Sequence, residues 1–272
     1  MSSINDFSAT NYITLRQFPG GWIWLKNIDE ISARIIPDLQ KLSVQEAAKI
    51  AVILNGIILP WHIFDDTQWV LRLIPLPNFI ILIIFNHDEE FGSALKIFYH
   101  KTSLIVPTED AYVFTEIYLE LFGQLAKYGV EKASSTKFQE DLIALPDLLD
   151  IIDPSNKTKL WNDIIGQRQA PLLKINLSTA ENISSKLSLP CFTKSWKKLE
   201  IDWAIPFTPL KNMYIIPLLF TDPTKFEVYY TKNVLNFESR RILFFTWLYC
   251  NAIIRKARTI LGNDLPKLSE YL

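Results

Sequence analysis

The chain has 272 residues, of which 49% are hydrophobic and 21% charged, and its formal net charge is −1. This composition excludes an intrinsically disordered chain and gives no general attraction to nucleic acid or to acidic membranes. With eight glycines and two cysteines, neither a backbone-cradled phosphate site nor a disulfide scaffold is favoured. We expect a soluble, cytoplasmic protein without a cofactor, present as a monomer or a homodimer.

The first half of the chain alternates helix signals with apolar strands. Ser43 and Glu46 form a capping box, in which each side chain bonds a backbone amide at a helix start. Strands are predicted at 69–74, 79–85 and 94–99. The run FIILIIF at 79–85 is far shorter than the roughly 20 residues of a membrane helix, so it predicts a strand buried on both faces.

A long helix is predicted after these strands. Thr108 is placed to cap its start, Glu109 and Asp110 lie in its first turn, where carboxylates stabilise the positive helix end, and Gly129 ends it. The helix therefore has a defined beginning and end. The segment 131–158, with paired prolines and mixed charge, is interpreted as the connection between the two halves.

The second half repeats the same kinds of signal. Ser178 and Glu181 form a further capping box, and a last long helix is predicted at 238–260 before Gly262. Strands are predicted at 198–203, 213–220 and 226–231. The apolar side chains expected to be buried in the two central strands are Ile81, Ile83, Phe85, Ile215 and Leu219.

The order strand, tight turn, strand, loop and long helix occurs twice, in 74–127 and in 205–258. Any two hairpin-plus-helix segments share this order, but here individual residues also match. We therefore predict an α+β fold of two diverged copies of a hairpin-plus-long-helix unit, pseudo-two-fold, with sheets covered by helices. The predicted division is 1–130, a connecting segment 131–158, and 159–272. The matched residues include Ile74-Pro75 with Ile205-Pro206, Tyr99 with Tyr230, Thr115 with Thr246 and Tyr118 with Tyr249.

Three short motifs in the first half lead to a resemblance. They are Phe18-Pro19-Gly20-Gly21, then Asp88-Glu89-Glu90-Phe91, then Pro107-Thr108-Glu109-Asp110 at a helix start. Over about residues 16–127, the chain resembles an uncharacterised prokaryotic family of domains of unknown function with a GG turn, a DEEF hairpin and a PTED helix start. The second half lacks all three motifs. The resemblance implies the fold unit and no catalytic or binding residue.

Acidic side chains supply the first candidate site. Nucleophile elbows, phosphate loops, dinucleotide fingerprints and zinc motifs are absent from the sequence, so no catalytic residue is assigned. His87, Asp88 and Glu90 lie at a predicted hairpin turn, and Glu109 and Asp110 lie at a helix start. Oxygen ligands with one imidazole could hold a divalent metal or another ligand, although acidic turns and helix caps are also ordinary structural features.

Two further groups have both a functional and a structural interpretation, and a third, the two cysteines, has only a structural one. In Trp61-His62-Ile63-Phe64-Asp65-Asp66, a His/Asp pair could do acid–base chemistry, or His62 could be a packed side chain. Cys191 and Cys250 are interpreted as small buried hydrophobes. The last helix could bind an anion or an acidic partner, or its charges could form a solvated face. The candidate residues on that helix are Arg240, Arg241, Arg255 and Arg258.

Two functions of different classes remain. The first is a non-catalytic interaction or regulatory protein that binds a macromolecular partner or a small ligand. The second is a metal-assisted enzyme that uses the acidic turn and helix start of the first half. Neither hypothesis involves nucleic acid or a membrane, and the sequence names no specific protein or small-molecule partner.

Overall fold

The computed structural model of the chain describes residues 8–130, 141–196, 199–237 and 239–265. The chain divides into two compact units, residues 1–135 and residues 136–272, called here the first and second unit. The fold is α+β, as predicted, because each unit combines an antiparallel sheet with α-helices.

Within the described residues, the first unit has a five-stranded sheet with the order β1-β5-β4-β3-β2. Every neighbouring pair in it is antiparallel. Strands β2 to β5 pair in chain order, and β1 pairs with β5 at the edge of the sheet. The central strand β4 carries the predicted apolar run. Its strands are β1 (Tyr12–Ile13), β2 (Ile57–Leu59), β3 (Thr67–Leu76), β4 (Phe79–Asp88) and β5 (Gly92–His100).

The helices α1 (Leu25–Leu39), α2 (Val44–Ile53) and α3 (Thr108–Tyr128) cover one face of this sheet. The ring of Phe114 on α3 lies 5.4 Å from that of Phe79 on β4. The opposite face is also apolar: Leu82 and neighbouring strand residues cluster there with side chains of the 60–66 segment. The strand β4 is therefore buried on both faces, as its composition predicts.

Among the described residues, the second unit has a six-stranded sheet with the order β6-β11-β10-β8-β7, and β9 also pairs with β10. The strands are β6 (Leu142–Ala144), β7 (Phe192–Trp196), β8 (Leu199–Ala204), β9 (Phe207–Leu210), β10 (Met213–Phe220) and β11 (Lys225–Thr231). The helices are α4 (Leu145–Ile152), α5 (Lys157–Trp161), α6 (Gln167–Leu172), α7 (Leu177–Leu187) and α8 (Ser239–Leu261). A π-helical turn, Asn162–Gly166, joins α5 to α6.

Burial of the central strands is confirmed. The side chains predicted to be buried are at most 5% exposed. This burial follows from apolar cover on both faces of each central strand. They are Ile81, Ile83, Phe85, Ile215 and Leu219.

Some helix ends follow the predicted signals and others do not. The capping box is confirmed, since the Ser43 hydroxyl accepts from the Glu46 amide at 3.2 Å and the Glu46 carboxylate accepts from the Ser43 amide at 2.8 Å. The predicted cap at Thr108 is wrong: Pro107 holds the N-cap position. The Thr108 hydroxyl instead donates to the carbonyl oxygen of Pro19 at 2.7 Å, which ties the helix start to a distant loop.

The second unit also departs from the predicted helix start and from the predicted connecting segment. The helix expected to begin with Ser178 and Glu181 is capped by Asn176, whose side-chain oxygen accepts from the Thr179 amide at 2.9 Å. Residues 142–158, expected in a connecting segment, form β6, α4 and the start of α5 because their apolar side chains complete the second sheet and its core. Residues 131–140 of that segment, and the predicted ends at 198 and 238, lie outside the described residues.

The two units show the same internal connections. In both sheets a short edge strand, a hairpin strand and the central strand follow in the same order, and a 3₁₀ turn then leads into the long helix. The Tyr99 hydroxyl and the Thr115 hydroxyl lie 2.6 Å apart, and so do those of Tyr230 and Thr246. The matching strand pairs are Tyr99 with Ile13 and Ile81, and Tyr230 with Ile143 and Ile215.

The predicted alignment of the strands before the central hairpin is wrong by three residues. The turn into each central strand contains a left-handed asparagine, Asn78 with φ 63° and Asn212 with φ 62°. Counted back from that turn, Ile74-Pro75 corresponds to Thr208-Pro209 instead of Ile205-Pro206. Both copies contain an Ile-Pro dipeptide, but it lies at different distances from this turn, so it does not mark equivalent positions.

Candidate functional site

The hairpin between β4 and β5 holds the first acidic segment. The Asp88 carboxylate accepts from the backbone amides of Phe91 and Glu90, each at 2.8 Å. These two amides hold the pKa of Asp88 below its ordinary value. Asp88 thus stabilises the turn, whereas Glu89 and Glu90 are exposed beside it.

The second acidic segment, residues 61–66, lies against the end of β4. The Asp66 carboxylate accepts from the side-chain amide of Asn86, and the Asp66 carbonyl accepts from the His87 amide at 3.0 Å. The amide of Phe64 donates to the Thr67 hydroxyl at 2.9 Å. These bonds fix the segment beside the hairpin, because the start of β3 and the end of β4 are neighbours in the same pair.

Both segments line one open cleft of about 1000 Å³, called here the acidic cleft. Lys96 supplies a cationic group among the lining residues, and His87 supplies an imidazole. The Lys96 ammonium lies 3.8 Å from the ring centroid of Phe64, so an aromatic face in the cleft already holds a cation. The carboxylates that line the cleft are Asp65, Asp66, Asp88, Glu89 and Glu90.

The predicted ligand set is only partly brought together. His87, Asp88 and Glu90 line the acidic cleft, but neither Glu109 nor Asp110 is among the described residues that line it. At the start of α3, Glu109 is exposed and Asp110 is 3% exposed. Within the described part of the chain, no group of three or more His, Cys, Asp or Glu side chains is placed to hold a metal ion.

The charged residues of the cleft that the predicted ligand set did not include are Asp65, Asp66, Glu89 and Lys96. A signal for the two aspartates existed in the sequence. The strands predicted at 69–74 and 79–85 are separated by four residues, a spacing typical of a hairpin, in which the first residues of one strand lie next to the last residues of the other. The segments 61–66 and 87–90 had therefore to meet.

Hydroxyl and imidazole groups also meet near the cleft. His87 Nδ1 lies 2.8 Å from the Ser93 hydroxyl, which also accepts from the Gln40 side-chain amide at 2.8 Å. Asp88, the adjacent acid, is used by backbone amides of the turn. The pair therefore resembles a cross-strand contact more than a nucleophile activated by an oriented base. His62, the other histidine considered, is exposed.

The basic residues of α8 do not form one site. Arg240 and Arg255 are fifteen positions apart along the helix, which is about 22 Å at the rise of an α-helix. Arg240 is exposed and lies near Asp153, whose pKa is lowered first by Asn156 and Ser155 and only slightly by this arginine. At the other end, Arg258 Nε donates to the carbonyl oxygen of Leu265 at 3.2 Å.

Of the two cysteines predicted to be buried, Cys250 is buried and Cys191 is only half-buried. Burial raises the pKa of Cys250 to about 12 and that of Cys191 to about 11, with a contribution from Glu181 in the second case. A thiol is nucleophilic as the thiolate, so neither is activated.

Comparison of the chain with protein-family models, with curated proteins and with solved structures gives no significant match. The resemblance over about residues 16–127 therefore stays a prediction. In the part of the chain that the structure describes, no helix combines the length and the apolar character needed to cross a membrane.

Proposed function

We propose that the chain is a non-catalytic interaction protein and that its acidic cleft receives a basic segment of a protein partner. One observation carries the proposal: two acidic segments, joined by the contact between Asp66 and Asn86 twenty residues apart, line a single open cleft of about 1000 Å³. A cleft with an excess of negative charge, here five carboxylates and one lysine, attracts and orients a segment of the opposite sign.

The rim of the cleft adds an apolar contact that favours a protein over a simple cation. Phe91, at the tip of the same hairpin, is 84% exposed. Exposed aromatic side chains beside charged ones are typical anchors in protein interfaces. We therefore expect the partner segment to carry Lys or Arg side chains for Asp65, Glu89 and Glu90, together with an apolar side chain for Phe91.

We infer further that the two units are diverged copies of one ancestral unit and that only the first retains this binding surface. The equal Tyr–Thr hydrogen bonds and the equal strand orders support a common origin. At the hairpin of the second unit, the acidic tip is replaced by Thr221-Asp222-Pro223-Thr224. A surface specific to one copy explains why the polar motifs occur once and the fold twice.

The proposal is tested with a fluorescent peptide of alternating arginine and leucine, titrated with the full chain and followed by fluorescence anisotropy. We expect saturable binding that weakens as salt rises, because exposed charges are screened. The double variant Glu89→Lys with Glu90→Lys should weaken binding by about tenfold or more. Both side chains are exposed, so the fold should be unaffected.

The matched control is Glu109→Lys, which is compared with each single variant, Glu89→Lys and Glu90→Lys, because it makes the same charge change at an exposed residue that does not line the cleft. It should leave the affinity nearly unchanged. An equal loss in the control would reduce the effect to net charge, and absence of binding at low salt would refute the proposal.

The alternative hypothesis, a metal-assisted enzyme, predicts stabilisation by a divalent metal that depends on Glu109. If Glu109 were a metal ligand, calcium, magnesium or manganese would raise the melting temperature in a concentration-dependent way, and Glu109→Gln would erase the rise. With Glu109 away from the cleft, we expect no such difference between the wild type and the variant. A metal-dependent rise that Glu109→Gln abolishes would favour the enzyme.

A further inference from the structure

A smaller cavity of about 250 Å³ lies in the second unit, on the sheet face opposite α8. Ile215 of β10 pairs with Tyr230, whose hydroxyl bonds Thr246 of α8, so side chains at odd positions there face the helix. Because successive side chains of a strand point to opposite faces, Tyr214 and Ile216 face away from α8. Both line the cavity.

The walls of this apolar cavity are aromatic and aliphatic. Phe192 and Trp196 stack with their ring centroids 5.7 Å apart, and Pro206 also lines the cavity. The Thr231 hydroxyl accepts from the Tyr214 amide at 3.0 Å and donates to the Asn233 side chain at 2.6 Å, so it is already engaged. A charged ligand would lose its hydration here without compensation.

The strand registers show why the first unit fills the corresponding position. Tyr12 pairs with His100 at the edge of the first sheet, as Leu142 pairs with Thr231 in the second. The rings of Tyr12 and His100 are in edge contact at 5.4 Å. In the second unit both rings are replaced by smaller side chains.

A third replacement enlarges the same space. Val70 and Ala204 pair with the corresponding residues of the central strands, so Arg72, two positions further on, corresponds to Pro206. The charge of Arg72 acts on Tyr12, which places its side chain near that ring. Two of the three replacements, Pro206 for Arg72 and Thr231 for His100, line the cavity itself, and the third, Leu142 for Tyr12, pairs with Thr231.

We propose that the apolar cavity binds a small, neutral, planar aromatic molecule of one or two fused rings. An apolar cavity of about 150 Å³ accepts benzene, so 250 Å³ suits a molecule of about the size of indole. A planar ring can stack against Trp196 or meet Tyr214 edge-on, the two arrangements that aromatic pairs prefer. The ligand takes the place that the Tyr12 and His100 rings occupy in the first unit.

The experiment is a fluorine NMR titration of fluoroindole with the full chain, with unlabelled indole as competitor. We expect saturable broadening with one site and a Kd of about 0.1–1 mM, as ligands of this size allow. Thr231→His and Leu142→Tyr restore the side chains of the first unit and should each weaken binding about tenfold or more. His100→Thr in the first unit is the matched control and should leave the affinity unchanged.

Trp196→Ala removes a wall without filling the space, so it tests the same site independently of any packing strain in the filled variants. It should also weaken binding, while circular dichroism reports that each variant is folded. Indole-3-acetate, which carries a negatively charged carboxylate, should compete poorly with fluoroindole for the cavity. Absence of saturable binding, equal affinity of Trp196→Ala, or tighter binding of N-acetyl-tryptophanamide than of indole would each overturn the proposal, the last in favour of a protein side chain as the occupant.

Discussion

In the first unit, the guanidinium of Arg34 pairs with Glu120 and its side chain is 60% exposed, whereas in the second unit Arg168 is 6% exposed and donates to Asn251 at 2.7 Å. Both contacts join an early helix to the long helix of the same unit. A shared frame thus carries an ion pair near the surface in one unit and a buried polar contact in the other.

The two units also differ around the second and third strands of their sheets, β2 and β3 in the first unit and β7 and β8 in the second. In the first unit, residues 60–66 leave the sheet edge, pack Trp61 and Phe64 on its face and form part of the acidic cleft. In the second unit, β7 and β8 pair with each other, and the face keeps an apolar cavity. The buried frame tolerates little change, so the differences that can carry function lie in connections and edges.

The largest expected effect breaks the frame itself. Phe85 is 3% exposed and stacks on Trp69 with a centroid distance of 5.1 Å. Phe85→Ala should lower the free energy of unfolding by about 3–5 kcal/mol, because it leaves a cavity in a two-sided core. Urea denaturation followed by circular dichroism measures it, and a loss below about 1 kcal/mol would place the strand at the surface.

A second prediction separates the two arginines. Arg168 donates to Asn251 and to backbone carbonyls of the preceding turn, and it lies 5.1 Å from the ring centroid of Trp247. Arg168→Ala should cost about 2–4 kcal/mol, since buried acceptors and packing are lost together.

Arg34→Ala is the comparison for that variant. The Arg34 side chain is 60% exposed but that of Glu120 is 10% exposed, so water replaces the guanidinium only in part and the loss should be about 1–2 kcal/mol. The two variants are measured under the same urea conditions. A larger loss for Arg34→Ala than for Arg168→Ala would contradict this interpretation of the two contacts.

A third prediction concerns the tyrosine–threonine hydrogen bond that both units share. Burial raises the pKa of both Tyr99 and Tyr230, so both hydroxyls stay neutral. Tyr99→Phe and Tyr230→Phe should each cost about 1 kcal/mol, the usual net worth of a buried hydrogen bond. If one substitution were neutral and the other cost several times as much, the correspondence between the units would be limited to backbone order.

The smallest effect concerns the hairpin tip. Because the pKa of Asp88 is lowered in the folded chain, its stabilising contribution is present above the unfolded value of about 4 and is lost as pH falls through the folded value. Asp88→Asn should therefore lower the melting temperature slightly at neutral pH and make it less sensitive to acid. A variant with an unchanged melting temperature and acid sensitivity would show that the turn does not depend on this carboxylate.

Local signals in the sequence predicted local structure well. The capping box at Ser43, the helix end at Gly129 and the buried run in β4 depend on neighbouring residues, and all three are confirmed. The bond from Thr108 to Pro19 joins residues 89 positions apart, so the spacing near Thr108 could only indicate a cap. A long-range contact of this kind engages the side chain that the local sequence assigns to the helix cap.

The candidate site was predictable to a similar extent. The hairpin motif identified His87, Asp88 and Glu90, which line the acidic cleft, because the motif is contiguous. Glu109 and Asp110 were grouped with them by charge alone, and charge does not determine distance. Asp66 connects the two acidic segments through its bond to Asn86, and this bond depends on the pairing of β3 with β4.

The most direct test of the account follows the backbone amide NMR signals of the full chain as the arginine–leucine peptide is added. We expect the shifts to concentrate in residues 63–68 and 87–96, which contain the lining of the acidic cleft, and to be largest near Phe91. The amides of α8 should remain unchanged. Shifts concentrated on α8, or spread evenly over both units, would contradict the assignment of the acidic cleft as the binding surface.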